Sequence, residues 1–220
     1  MTNSAQMKRL VAPLIKCRGD LAFSRRTIIL KPVHHIARGV ILDGAGDVSV
    51  VVIRPWIQQV FDPAHQSLTW TWPVSRQGGG RFRIEQPTVQ SEVIEAIATD
   101  VLPRLQPISD ITHFEQYVTA HKNMHLYDNP RRLITAAARG DLELALHLSR
   151  DLRAKGHLDG PGGDAESTRS IVRRRTLSDL IEVDDRAGII ALLHQWEAAT
   201  AADWGLAQFW EPSPFPIEQM

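Results

Sequence analysis

An α+β fold is predicted, with an antiparallel β-sheet meander packed against helices and followed by a helical C-terminal region. Three observations predict it. Residues 27–30, 35–42 and 48–53 are rich in β-branched side chains, which suit a pleated surface. The gaps between strand segments are short, as at Gly44-Ala45-Gly46-Asp47, and short gaps join antiparallel strands because parallel pairs need long crossovers. On either side of this stretch apolar residues recur every three or four positions, the spacing of one helical face.

The first helix is expected from Met7, Leu10, Val11, Leu14 and Ile15, with Ser4 as its cap and Pro13 as a kink or stop. Gly19-Asp20 reads as a turn, and Arg25-Arg26 as the solvent face of a strand. Leu68, Trp70 and Trp72 alternate with Thr69 and Thr71, and Phe82 and Ile84 alternate with charged residues, so each segment is a one-sided strand. Gly78-Gly79-Gly80 forms the loop between them. The sheet is expected to pack on helices from both ends of the chain.

Val89, Val93, Ile94, Ile97, Val101 and Leu102 then share a helical face, which Pro103 and Pro107 should end or bend. Asp110 is placed to cap a helix carrying Ile111, Phe114, Tyr117 and Val118. Asn129-Pro130 is a cap followed by a first-turn proline. Residues 133–139 and 142–154 make a helical hairpin broken at Gly140-Asp141. The Gly/Pro run from 159 to 164 is the clearest linker, and Thr176-Leu177-Ser178-Asp179 has the pattern of a capping box. Four segments are therefore expected: an α+β domain over 1–156, a flexible Gly/Pro then Arg-rich linker over 157–175, a helical extension over 176–210, and an extended tail over 211–220.

The 220 residues carry 25 basic and 25 acidic side chains. Zero net charge argues against a nonspecific nucleic-acid binder, whose affinity comes from neutralised phosphates. Cys17 is the single cysteine, which rules out an intrachain disulfide and a four-cysteine zinc site. Lys8 and Arg9 precede a short apolar stretch that Pro13 and Lys16 interrupt, so no signal peptide is read and a cytoplasmic location is expected.

Several residues are candidates for chemistry. His121 and His125 lie four apart, on one helical face, with Asp128 close behind; this spacing can hold zinc or another divalent metal. It also fits two surface histidines at a helix end. His34, His35, His65 and His113 are either structural or members of a cluster that spacing alone does not define. Trp56, Trp70 and Trp72 line either a ligand groove or the core. Arg169, Arg173, Arg174 and Arg175 form the strongest charge run, and read as a docking arm for an acidic partner or nucleic acid, as the flank of a phosphorylation target at Thr176 or Ser178, or as a solvated segment. Cys17 fits a half-buried structural thiol. No Gly-x-Ser-x-Gly or phosphate-cradling glycine loop is present.

The order of parts carries a resemblance. A first helix leads through Leu21-Ala22-Phe23-Ser24-Arg25-Arg26 into a strand meander. A helix from Glu92, then Ile111-Thr112-His113-Phe114, precedes a hairpin pivoting on Gly140-Asp141-Leu142-Glu143-Leu144-Ala145. Over about residues 7–155 this layout resembles uncharacterised bacterial α+β families, some encoded beside polymorphic toxins and regarded as immunity proteins. The hairpin also resembles one unit of a tetratricopeptide or ankyrin repeat, but no second copy at a fixed period is found, so a solenoid is not expected. The resemblance implies no catalytic residues. The expected function is a non-enzymatic protein-binding module, an adaptor or immunity-type protein, with another protein as partner and neither membrane nor nucleic acid. The rivals are a small metal- or histidine-dependent hydrolase and a small-ligand binder using a tryptophan-lined sheet face. No cofactor is predicted beyond the metal that the histidine pair can hold.

Overall fold

The structure, a computed structural model, describes residues 4–44, 49–62, 70–72, 74–76, 79–121, 129–158 and 165–220, without the side chains of 70, 71 and 165–167. It is an α+β fold with an antiparallel sheet and a helical C-terminal region. Two units divide the chain, one of Met1–Gln58 and Leu68–His113, the other of Gln59–Ser67 and Phe114–Met220.

In the first unit, α1 (Ser4–Cys17) buries Met7, Val11 and Leu14. Pro13 does not end it. A proline cannot donate to the carbonyl four residues back, and that carbonyl, of Arg9, instead accepts from the Gln90 side chain at 3.0 Å. Strands β1 (Leu21–Ser24) and β2 (Thr27–Leu30) form a hairpin in register Ser24↔Thr27 and Leu21↔Leu30. Arg25 and Arg26 are thus its two turn residues rather than a strand face. Arg25 has φ 58°, as tight hairpin turns demand, and its carbonyl accepts from Ser4 Oγ.

Strand β3 (Ile36–Asp43) pairs with β2 and is followed by β4 (Val50–Gln59). The expected end of β4 at Ile53 is overrun: the strand continues past Pro55, because Trp56 and Ile57 pair with β5 (Trp70–Thr71). At its other end Val50 and Val51 pair with β6 (Phe82–Arg83). Helix α2 (Val89–Ala96) runs through a π-helical segment (Ile97–Val101) into α3 (Leu102–Leu105), with helical backbone at Ile97 and Leu102. Pro103 therefore does not stop the helix. The wider π turn just before it relieves the clash of a proline ring with the preceding turn.

Helix α4 (Ile111–Ala120) starts at Asp110, whose Oδ1 accepts from the His113 backbone N–H at 2.9 Å. The second unit contains α5 (Asn129–Arg139), α6 (Leu142–Ala154), α7 (Ala165–Glu182) and α8 (Arg186–Asp203). Helix α7 begins well before the capping-box pattern at Thr176 and takes in the whole arginine run. Its Ser170, Leu177, Ser178 and Ile181 are buried, and burial of that face holds the helix together across a sequence that reads locally as a boundary. Thr176 Oγ1, instead of capping, donates to the Val172 carbonyl at 3.1 Å.

The four helices make two hairpins with one turn geometry. In the first, Gly140 has φ +79° and Asp141 caps α6; in the second, Asp184 has φ 51° and Asp185 caps α8. Asp141 N donates to Ala136 O at 3.0 Å and Asp185 N to Leu180 O at 3.0 Å. Leu144 N donates to Asp141 Oδ1 at 3.2 Å and Gly188 N to Asp185 Oδ1 at 2.9 Å. Every partner is displaced by the same 44 positions, so the two turns share one hydrogen-bond pattern.

A buried polar chain ties the end of β4 to α5. Gln59 Nε2 donates to Thr135 Oγ1 at 2.7 Å, Thr135 Oγ1 to Arg131 O at 2.8 Å, and Arg131 Nε lies 3.5 Å from Asp62 Oδ2. The tail, expected extended on the surface or disordered, is held by apolar burial: Phe215 and Ile217 are buried, ahead of and within a 3-10 helix (Pro216–Gln219). Phe215 meets Phe61 edge-on at 5.5 Å, and Glu218 pairs with His194 Nε2 at 2.8 Å. No helix among the described residues is long and apolar enough to cross a membrane.

Candidate functional site

The residues singled out by sequence are scattered. His121 follows α4, exposed; its Nδ1 donates to the Tyr117 carbonyl at 2.8 Å and its ring stacks on Tyr117 at 4.1 Å. This fixes the tautomer and leaves Nε2 as the nitrogen able to take a metal. His125 and Asp128 lie outside the described residues, as does His65. Among the described residues, no group of three or more His, Cys, Asp or Glu side chains is arranged to hold a metal ion. His35 is buried, His34 half-buried, and Cys17 exposed at the end of α1. Trp56 is 2% exposed, its indole Nε1 packed over Gly39. Trp72 is half-buried, and the Trp70 side chain is among those not described.

The arginine run acquires a definite geometry from α7. Helical spacing places Arg169, Val172, Arg173 and Thr176 on one stripe, with Arg175 beside it. Arg169, Arg175 and Thr176 are exposed, Arg173 and Arg174 half-buried, and Val172 is 57% exposed. Further along, Asp179 and Glu182 are engaged by Arg153 of α6, at 2.9 and 3.6 Å. Acidic charge at the C-terminal end of α7 is thereby offset from α6.

A second cluster was not legible in the sequence. Arg38 lies in β3, where Ile36 to Val40 are all buried, so both faces of the strand are covered. The residue is 8% exposed, and its Nε has no hydrogen-bond partner. Burial pushes its pKa down, and Asp110 opposes this through space, without a hydrogen bond. Asp110 is itself committed to α4: besides capping, its Oδ2 accepts from His113 Nδ1 at 2.7 Å. Burial pushes the Asp110 carboxyl up, but the hydrogen bonds from His113 prevail and its pKa is lowered. The only sequence signal was a lone arginine inside an apolar β-branched run.

A cleft of about 200 Å³ lies among Arg76, Phe82, Glu92, Glu95 and Ala96. Arg76 and Glu92 pair within it. Arg76 Nη2 donates to Glu92 Oε1 at 2.6 Å, Thr88 Oγ1 donates to the same oxygen at 2.8 Å, and these bonds hold the Glu92 pKa low.

No protein-family model matches the chain, and no curated protein or solved structure matches it, so the reading of its function rests on these surfaces alone.

Proposed function

We propose that the protein is a non-enzymatic protein-binding module, an adaptor or immunity-type protein, that docks an acidic partner surface on α7. The observation that carries this reading is Val172, an apolar side chain 57% exposed between Arg169 and Arg175. An exposed apolar side chain on the same helix as exposed arginines suits a partner that presents carboxylates beside a hydrophobic seat, because arginine pairs with carboxylates in a planar, bidentate way. Charge of one sign also speeds encounter with an acidic protein. The paired helical hairpins support the reading, since stacked hairpins present extended faces.

The test is affinity capture from host lysate by the wild-type chain and by Arg169→Glu/Arg175→Glu and Val172→Asp variants. Exposed substitutions should leave folding intact, within about 0.5 kcal/mol each. Reversing two charges should weaken the captured partner's affinity at least about tenfold. A partner retained equally by every α7 variant would remove the proposal.

A further inference from the structure

We propose that the solvent face of α1, together with the β1–β2 turn, binds the phosphate backbone of a nucleic-acid duplex without regard to sequence. The inference goes beyond the α7 reading and concerns the first unit. The zero net charge of the chain hides an uneven distribution. Residues 1–42 carry eight basic side chains and one acidic, and the remaining residues carry 17 and 24. Charge segregated in this way marks a surface for a polyanion.

The fold gathers exposed members of this set on one surface. Helix α1 turns Met7, Val11 and Leu14 inward. Lys8, Arg9 and Lys16 are exposed, and helical spacing puts them on the opposite side, within an arc of about 100°. Lys8 and Lys16 stand about 12 Å apart along the axis. The helix holds no acidic residue. Beside its first residue lies Arg25, the exposed turn residue whose carbonyl accepts from Ser4 Oγ. Among the described residues, none of these four cations is in an ion pair. The acids next to them in the fold are engaged elsewhere: Asp20 accepts from Arg18 at 2.8 and 2.6 Å, and Asp43 lies 3.9 Å from Arg26.

What the face lacks selects the occupant. A helix that lies on a membrane needs apolar side chains to enter the lipid, but the exposed positions among these cations are Ala5 and Ala12. Binding of a single strand draws on aromatic rings that stack with bases, and neither α1 nor the turn has one. A row of cations on a packed helix suits the regular line of phosphates along a duplex. Lysine meets phosphate as a point charge, and phosphate contacts carry no sequence information.

The experiment titrates the full chain into fluorescently labelled DNA and RNA duplexes of random sequence and follows anisotropy at several salt concentrations. The wild type should bind at least one duplex, and log affinity should fall with log salt at a slope of about −3 to −4, as four phosphate contacts require. Lys8→Gln/Lys16→Gln should keep the melting temperature, weaken binding at low salt at least about tenfold and flatten the slope by about 2. The α7 variant Arg169→Glu/Arg175→Glu should still bind the duplex. Should the α1 variant fail to fold, Arg9→Gln/Arg25→Gln carries the same test with the same expected losses. No duplex binding by the wild type, undiminished binding by the folded variant, or loss in the α7 variant alone would overturn the proposal. Tighter binding to phosphatidylserine vesicles or to polyglutamate than to either duplex would overturn it too, in favour of a membrane or an acidic protein.

Discussion

Gly39 shows how much a single position decides. A methyl group there would run into the Ile28 carbonyl and come within 2.9 Å of Trp56 Nε1. Neither can yield cheaply, since one is backbone of the neighbouring strand and the other is a buried indole. Gly39→Ala should therefore cost about 2–3 kcal/mol, read as a lower urea midpoint; an unchanged midpoint would mean that β2 and β3 relax freely. Some residue roles were legible from sequence. Asp110 was expected as a helix cap and is one, because capping depends on neighbours three positions away. The burial of Arg38 was hidden, because cover on both faces of a strand depends on packing that a local pattern does not record.

Helix starts and stops follow the same logic one level up. Asp141 and Asp185 make equivalent cap hydrogen bonds in equivalent turns. Replacing either by Ala should cost about 1 kcal/mol, and the two costs should agree to within a factor of two. Thermal unfolding of the single variants checks this. A large cost at one site with none at the other would show that the turns are not equivalent in energy. The hairpin at Gly140-Asp141 was read correctly because glycine advertises a positive φ. Its copy was missed because Asp184 takes the same left-handed conformation without that signal. The capping-box pattern at Thr176 misled for the opposite reason. It describes a local option, and burial of Leu177 and Ile181 on a longer α7 overrides it.

Across the whole molecule, several carboxylates share one electrostatic bias. Hydrogen bonds from Arg18, at 2.8 and 2.6 Å, lower the Asp20 pKa. Hydrogen bonds from Arg76 and Thr88 lower that of Glu92, and a hydrogen bond from Lys155 lowers that of Asp151. A group whose pKa is lower in the folded chain than in the unfolded one stabilises the fold above the unfolded pKa. That contribution disappears as pH falls through the folded pKa. Stability should thus hold at neutral pH and drop as the solution is taken below about pH 4, where unfolded carboxylates bind protons first. Urea midpoints across this range measure the effect, and Asp20→Asn should flatten the drop. A midpoint insensitive to acid would contradict it.

By itself the sequence determined the α+β class, the positions of most helices and strands, and the hairpin at Gly140, because these rest on periodicities and turn residues that act over a few positions. Only the tertiary structure decided that α7 runs through the arginine run and that Phe215 and Ile217 are buried. It alone revealed the second turn of the same geometry and Arg38 enclosed in β3 without a hydrogen bond at Nε. Each of these depends on apolar surface or charge meeting groups far away along the chain, and a local pattern carries no record of such meetings.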